Sequence, residues 1–199
     1  MNRTLIDPHG GYRHPKVYQM AEIVYDGTVV FCHRFIGDRS RVTEQMVQAA
    51  HSGKQNIAEG EMASATSRET ELELIRAARA SLEKLLLDYQ DFLRQRKLPA
   101  WNRDDGQAQR VRHLAARDNG SYSTYKSQIE RQTAEVAANT LICLIHHASY
   151  LLDRLLRQLE KSFLEDGGVT ERLYRLREEV RRETRLARRE LGPPGQGEG

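Results

Sequence analysis

The sequence predicts an all-α protein: an antiparallel four-helix bundle with an additional C-terminal helix. Two observations carry this. Ala, Leu, Glu and Arg dominate, while Pro occurs only five times in 199 residues, which favours helix throughout. Apolar residues recur at three- and four-residue spacing over most of the chain, interrupted by short polar or Gly-containing turns.

Residues 1–14 contain a Gly-Gly pair and read as an N-terminal arm. Pro15 opens the first helix, which runs to about Ile36. Val17, Met20, Val24, Val30 and Phe31 form its apolar face, widened by Tyr25, Val29, Phe35 and Ile36. Gly27 interrupts this face and marks a close approach or a tolerated weak position. Gly37 suits the C-terminal cap, and Asp38, Ser40 or Thr43 can cap the next helix. That helix spans about Thr43 to Gly60. Met46, Ala49, Ala50, Gly53, Ile57 and Gly60 share one face, and most are small enough to let a neighbour approach closely.

Thr66 followed by Glu69 fits a capping box, which starts the third helix near Ser67. Leu72, Ile75, Ala78, Leu82, Leu85, Leu86, Tyr89, Phe92 and Leu93 then give a sustained stripe, closed by Pro99. A connector follows at about 100–126, with a short helix expected over Gly106 to Ala116 and Trp101 packed on the bundle end. The fourth long helix is expected from about Ser127 to Glu165, so that the bundle occupies 15–166. Gly167-Gly168 breaks it. A suffix helix covers 167–191, with a narrow seam of Val169, Leu173, Leu176 and Val180 among many arginines. The tail 192–199 is disordered by composition.

Charged residues are 30% of the chain and aromatics 7%, with a net charge of +3. The isoelectric point is about 8.9. This is mildly basic, and symmetric oligomerisation would multiply it on one surface. Cys32 and Cys143 both fall within apolar helical patterns and read as buried free thiols in a reducing compartment. The N-terminal residues lack the apolar core of a secretory signal, and the run from Thr140 to Leu156 is broken by His146, His147, Asp153 and Arg154. A cytoplasmic protein without a membrane partner is expected.

Catalytic signatures are largely missing. Neither a Gly-x-Gly-x-x-Gly fingerprint nor a phosphate loop occurs, nor a Gly-x-Ser-x-Gly elbow. No histidine has an acidic residue three positions before it, which removes the di-iron use of a helical bundle. Cys143, His146 and His147 share a helical face and are residue types zinc accepts, with Cys32 and His33 the candidates to complete a set. The competing reading places Cys143 and His147 in the core seam and His146 at its edge. Glu59, Glu71 and Glu73 show no spacing that singles them out as paired acids. The sequence thus predicts a non-enzymatic protein with neither metal nor cofactor.

Basic residues are the functional candidates. Arg39 and Arg41 lie on the first turn; Lys54, Arg68, Arg76 and Arg79 lie on the small-residue hairpin. Phosphate contacts need reachable cationic donors on a surface rather than a motif. The alternative is a solvated face paired with Glu69, Glu73 and Glu83. The suffix helix, with Arg181, Arg182 and Arg185, can pack on a neighbouring subunit, bind phosphates, or stand exposed with its arginines balanced by glutamates such as Glu178 and Glu183.

The hairpin also carries a pattern: Arg41 to Ala50, Ser52-Gly53, Asn56-Ile57-Ala58-Glu59-Gly60, then Ser67, Glu71-Leu72 and Ala77-Ala78-x-x-Ser81-Leu82-Glu83. It resembles a small bacterial four-helix-bundle family, over about residues 15–160. That family includes proteins encoded in intervening sequences of large-subunit ribosomal RNA genes and the accessory variability determinant of diversity-generating retroelements. The stretch from Tyr150 through Glu160, Gly167-Gly168 and Glu171 looks like the C-terminal suffix of a longer subgroup. The resemblance implies closed homo-pentameric rings, basic surfaces that bind RNA or DNA, a reverse transcriptase as partner, and no catalytic residues. The function expected is therefore a homo-oligomeric accessory protein that binds nucleic acid, most simply RNA. The alternative is an interaction scaffold whose last helix docks on a partner.

Overall fold

In a computed structural model the backbone is described for residues 15–64, 66–117, 120–166 and 169–190, and side chains for these except 166, 169–173 and 187–190. The arm at 1–14, the tail at 192–199 and the Gly167-Gly168 break lie outside the described residues. Seven α-helices account for the regular structure there: α1 Pro15–Phe35, α2 Arg41–Ala63, α3 Arg68–Gln95, α4 Gly106–Ala116, α5 Tyr122–Glu130, α6 Ala134–Asp166 and α7 Val169–Glu190.

The small face of α2 does what small residues permit. It packs on α3, so that a Cβ added at Gly53 would stand 2.8 Å from Leu82 Cδ2, and one at Gly60 would stand 3.1 Å from Ile75 Cδ1. These pairs run in opposite directions along the two helices, which makes α2 and α3 antiparallel. α1 packs on α2 and α6, and α3 packs on α6. Gly27 faces α5 and α6: its added Cβ would stand 2.6 Å from Leu141 Cδ2 and 3.1 Å from Ile129 Cδ1.

The leucine stripe of α3 is the centre of the core. Leu82 and Leu85 are fully enclosed, as are Ile57, Leu141 and Leu144 from the helices around them. Phe31 sets its ring edge-on against Tyr89 and Phe92, at centroid distances of 4.9 and 4.8 Å. The buried Tyr89 hydroxyl donates to Thr28 Oγ1 at 3.0 Å, and Thr28 donates onward to the Val24 carbonyl at 2.7 Å. This satisfies two polar groups that burial would otherwise penalise. Val29, expected on the apolar face of α1, is 40% exposed and lies at its outer margin.

Two sequence expectations are corrected. The cap of α3 is Ser67, not Thr66: Ser67 Oγ accepts from Thr70 N–H at 3.2 Å, while Thr66 Oγ1 turns back to the Ala63 carbonyl at 3.2 Å. Glu69 sits within the first turn and accepts from the Ser67 hydroxyl at 3.1 Å. The helix expected from Ser127 to Glu165 is two helices. α5 stops at Glu130, and Thr133 restarts the chain by accepting the Ala137 N–H at its carbonyl, 3.0 Å, and the Val136 N–H at its hydroxyl, 3.4 Å.

The connector is more structured than a loop. α4 matches the short helix expected there, and α4 and α5 both pack on α6. Trp101 packs against the core, and the buried Asn139 fixes it in place: Oδ1 accepts from Trp101 N–H at 2.8 Å and Nδ2 donates to the Pro99 carbonyl at 2.9 Å. Among the described residues no helix is long and apolar enough to cross a membrane.

Candidate nucleic-acid interface

The basic residues singled out by the sequence fall into separate environments. On α3 three arginines reach across to α6. Arg68 donates to the Ser162 hydroxyl. Arg76 pairs with Glu160 at 2.9 Å, and Arg79 pairs with Asp153 at 3.1 Å and with Glu83 at 2.6 Å. Burial works against the Arg79 charge, yet the Glu83 and Asp153 carboxylates outweigh it and hold its guanidinium above the ordinary value. Of the pairings expected for this face, Glu83 is used, and Arg76 and Arg79 find Glu160 and Asp153 on α6. Arg76 and Arg79 are thus engaged in holding α3 to α6, with their charge compensated on the spot.

Lys54 also has an internal role. Its ammonium lies 4.3 Å from the Tyr25 ring centroid, and the same ring meets His51 edge-on at 5.7 Å. Arg39 and Arg41 are different. Gly37, in the left-handed region at φ +108, ends α1, with its N–H on the Cys32 carbonyl at 2.9 Å. Ser40 then caps α2 by accepting from Val42 N–H at 3.2 Å, and Thr43 Oγ1 donates to the Gly37 carbonyl at 2.8 Å. This braced turn carries Arg39 and Arg41, both exposed and, among the described residues, in no ion pair. They flank the N-terminus of α2, where the helix dipole disfavours cations. Helix stability therefore does not account for their placement.

Further cations gather at this same end, and sequence reasoning missed them. Arg96 donates to the Phe35 carbonyl at 2.8 Å, and Arg34 donates to the Ile129 and Gln132 carbonyls, the latter at 3.2 Å. Guanidinium groups resting on carbonyls at helix ends cap them, and among the described residues neither is in an ion pair with a carboxylate. Lys97 follows the C-cap of α3 in the left-handed region at φ 54, fully in the solvent-facing turn. Cations in or just past a last helical turn are the signal by which these residues could have been found. The acids here include Asp38, bonded to His33 at 2.8 Å, and Asp91, bonded to Arg94 at 2.8 Å. A groove of about 310 Å³ beside these turns is lined by Asp88 and Asp91 as well as Arg96, while Arg39, Arg41, Arg34 and Lys97 do not line it.

On α7, Arg181 pairs with Glu178 at 2.9 Å, while Arg182 and Arg185 are exposed. The metal-like residues do not converge: among the described residues no three His, Cys, Asp or Glu side chains are arranged to hold an ion. Cys32 and Cys143 are buried free thiols, each pushed up to about 11 by burial. Burial likewise holds the His146 and His147 imidazoles below their ordinary range. Glu59 accepts from Gln55 at 3.1 Å, Glu71 is buried in the first turn of α3, and Glu73 is exposed.

No protein-family model, no curated protein and no solved structure matches this chain.

Proposed function

We propose that this chain is an antiparallel four-helix bundle of α1, α2, α3 and α6, with α7 as an additional helix, that acts as a non-enzymatic nucleic-acid-binding accessory protein. The bundle reading is supported by the closed circuit of packing from α1 to α2, α3, α6 and back to α1. One observation carries the functional reading. Arg39 and Arg41 stand exposed on a braced turn, in no ion pair among the described residues, and are joined at that end by Arg34, Arg96 and Lys97. Such a cluster contacts phosphates without reading bases, because it offers charge and N–H donors while the Phe35 and Phe92 rings at this end already carry the Arg34 and Arg96 guanidinium groups.

RNA is the ligand this reading favours, through the likeness of the hairpin to the retroelement accessory proteins. A homo-oligomeric ring, a pentamer in that family, would repeat the cluster around one face, and a reverse transcriptase is the protein partner the likeness suggests. Filter binding of a labelled single-stranded RNA across a salt series tests the reading. Binding should be tightest at low salt and fall linearly on logarithmic axes. Absence of binding at low salt overturns it.

A second reading draws on α7, where Tyr174 is 67% exposed, Val180 54% and Leu186 55%. It makes the chain a scaffold docked through this helix. Deleting residues 170–199 separates the two: loss of a copurifying protein with RNA binding unchanged favours the scaffold.

A further inference from the structure

Next to the turn cations lies a groove of different chemistry. It holds about 300 Å³ between α4, the last turn of α5 and the first turn of α6. Gln107, Val111 and Leu114 line it from one face of α4, where they recur at four- and three-residue spacing. Val111 is buried, and Leu114 and Trp101 are half-buried, so one side of the groove is apolar and aromatic. Gln128 from α5 and Gln132 from the α5–α6 turn line the rest. The backbone at Trp101 is held in advance by Asn139, which accepts its N–H and donates to the Pro99 carbonyl.

The polar groups of this groove are uncommitted. Among the described residues the Trp101 indole N–H and the Gln107 and Gln132 carboxamides make no hydrogen bond. Gln128 uses only Oε1, which accepts from the Ser127 hydroxyl at 2.8 Å. A carboxamide presents donors and an acceptor side by side, the pattern that matches the edge of a nucleobase. A phosphate, which only accepts, would leave the carboxamide oxygens unmatched, and an aliphatic body would leave every one of these groups unmatched. The groove also adjoins the cations. The Gln132 carbonyl accepts from Arg34 at 3.2 Å, and Lys97 precedes Trp101 by four residues, no more than about 14 Å even for extended chain. A strand whose phosphates rest on those cations has a base within reach of the groove.

We infer that this groove receives one unstacked nucleobase of the bound strand, packed against Trp101, Val111 and Leu114 and read along its edge by Gln107, Gln128 and Gln132. Adenine is the base it favours, because a glutamine carboxamide can pair with the exocyclic amine and the adjacent ring nitrogen together. The volume is at the lower limit of small-molecule sites, which suits one base rather than a stacked run. The inference rests on the reading that the turn cations hold the strand. It adds selection of a base, which a phosphate-binding surface does not make by itself.

Trp101 is the one tryptophan of the chain, so its fluorescence reports on the groove directly. The full chain is titrated with adenosine, adenosine 5′-monophosphate and ribose 5-phosphate. Adenosine and its monophosphate should change the emission saturably, in the millimolar range or tighter and within about threefold of each other, whereas ribose 5-phosphate should leave it unchanged. In filter binding, oligoadenylate should bind about tenfold more tightly than an abasic strand of equal length. Gln107→Ala with Gln132→Ala, both at exposed positions, should weaken adenosine about fivefold or more with circular dichroism unchanged. Arg39→Gln with Arg41→Gln should weaken the oligonucleotide and leave adenosine as it was. Equal affinity for the adenylate and abasic strands overturns the proposal, as does an adenosine response that never saturates, a response to ribose 5-phosphate equal to that of adenosine, or adenosine binding that survives the glutamine substitutions. Failure of the phosphate reading has a different signature: no strand bound at low salt while adenosine still saturates, which overturns the strand and leaves the groove a site for a free nucleoside.

Discussion

Arg79 of α3 donates to Asp153 of α6 at 3.1 Å while also holding Glu83, one turn on in its own helix, at 2.6 Å. The guanidinium is about a third exposed and both carboxylates about half, so solvent screens these pairs. Each is expected to contribute about 0.5–1 kcal/mol. Urea denaturation of Arg79→Gln, Asp153→Asn and the double variant should give a coupling energy in that range, lower at high salt. A coupling near zero would remove Arg79 from the α3–α6 seam.

Gly53 and Gly27 test the close packing. Alanine at an exposed helical position would gain about 1 kcal/mol over glycine. Here the added Cβ would meet Leu82 Cδ2 at 2.8 Å or Leu141 Cδ2 at 2.6 Å, and both leucines are fully buried. Overpacking of this kind costs about 1–3 kcal/mol, so both variants should be less stable than the parent, with Gly27→Ala the worse. Gly60→Ala, whose nearest contact is 3.1 Å from Ile75 Cδ1, should be the mildest.

Asn139 anchors the connector by accepting from Trp101 N–H and donating to the Pro99 and Glu135 carbonyls. Asn139→Ala leaves buried groups without partners and should cost about 1–3 kcal/mol. Asn139→Asp keeps the acceptor but sets a carboxylate against two carbonyls, so it should be worse at pH 7 and recover when protonated at acid pH. Trp101 fluorescence reports both.

Asp88 gives a pH dependence of opposite sign to ordinary acid unfolding. Desolvation raises its pKa, and its buried Oδ2 has no hydrogen-bond partner among the described residues. A carboxyl raised in the folded state opposes folding once it is charged: the penalty is absent below the unfolded carboxylate pKa and complete above the raised folded value. Asp88→Asn should therefore raise the thermal midpoint at pH 7 and leave it unchanged at low pH.

The helices were legible where the apolar period was unbroken, as along α3 from Leu72 to Leu93, and where Gly or Pro punctuated it, as at Gly37 and Pro99. The α5–α6 break was not, because Glu130-Arg131-Gln132-Thr133 contains neither Gly nor Pro and Thr133 is a cap only once α6 is in place. The roles of the cations were the least legible. Arg76 and Arg79 look like an open basic face in sequence, and their partners Glu160 and Asp153 lie more than seventy residues away. Arg34 and Arg96 look like ordinary terminal charges until tertiary packing brings Gln132 and Phe35 within reach.

Lys97 separates charge from structure. It occupies the left-handed region at φ 54, a conformation that glycine adopts without penalty. Lys97→Gly should raise stability by about 0.5–1 kcal/mol while weakening RNA binding, an opposition that a merely structural role would not produce.

The central claim is that the exposed turn cations, and not the α3 arginines, contact phosphate. The most direct test compares the RNA affinity of Arg39→Gln/Arg41→Gln with that of Arg76→Gln/Arg79→Gln across a salt series. The first pair should weaken binding about tenfold or more and reduce the logarithmic salt slope by about 1.4, the loss of two phosphate contacts to a single strand. The second should lower stability and leave affinity and slope near those of the parent. The reverse pattern, or a parent protein that binds no RNA at low salt, would contradict the account.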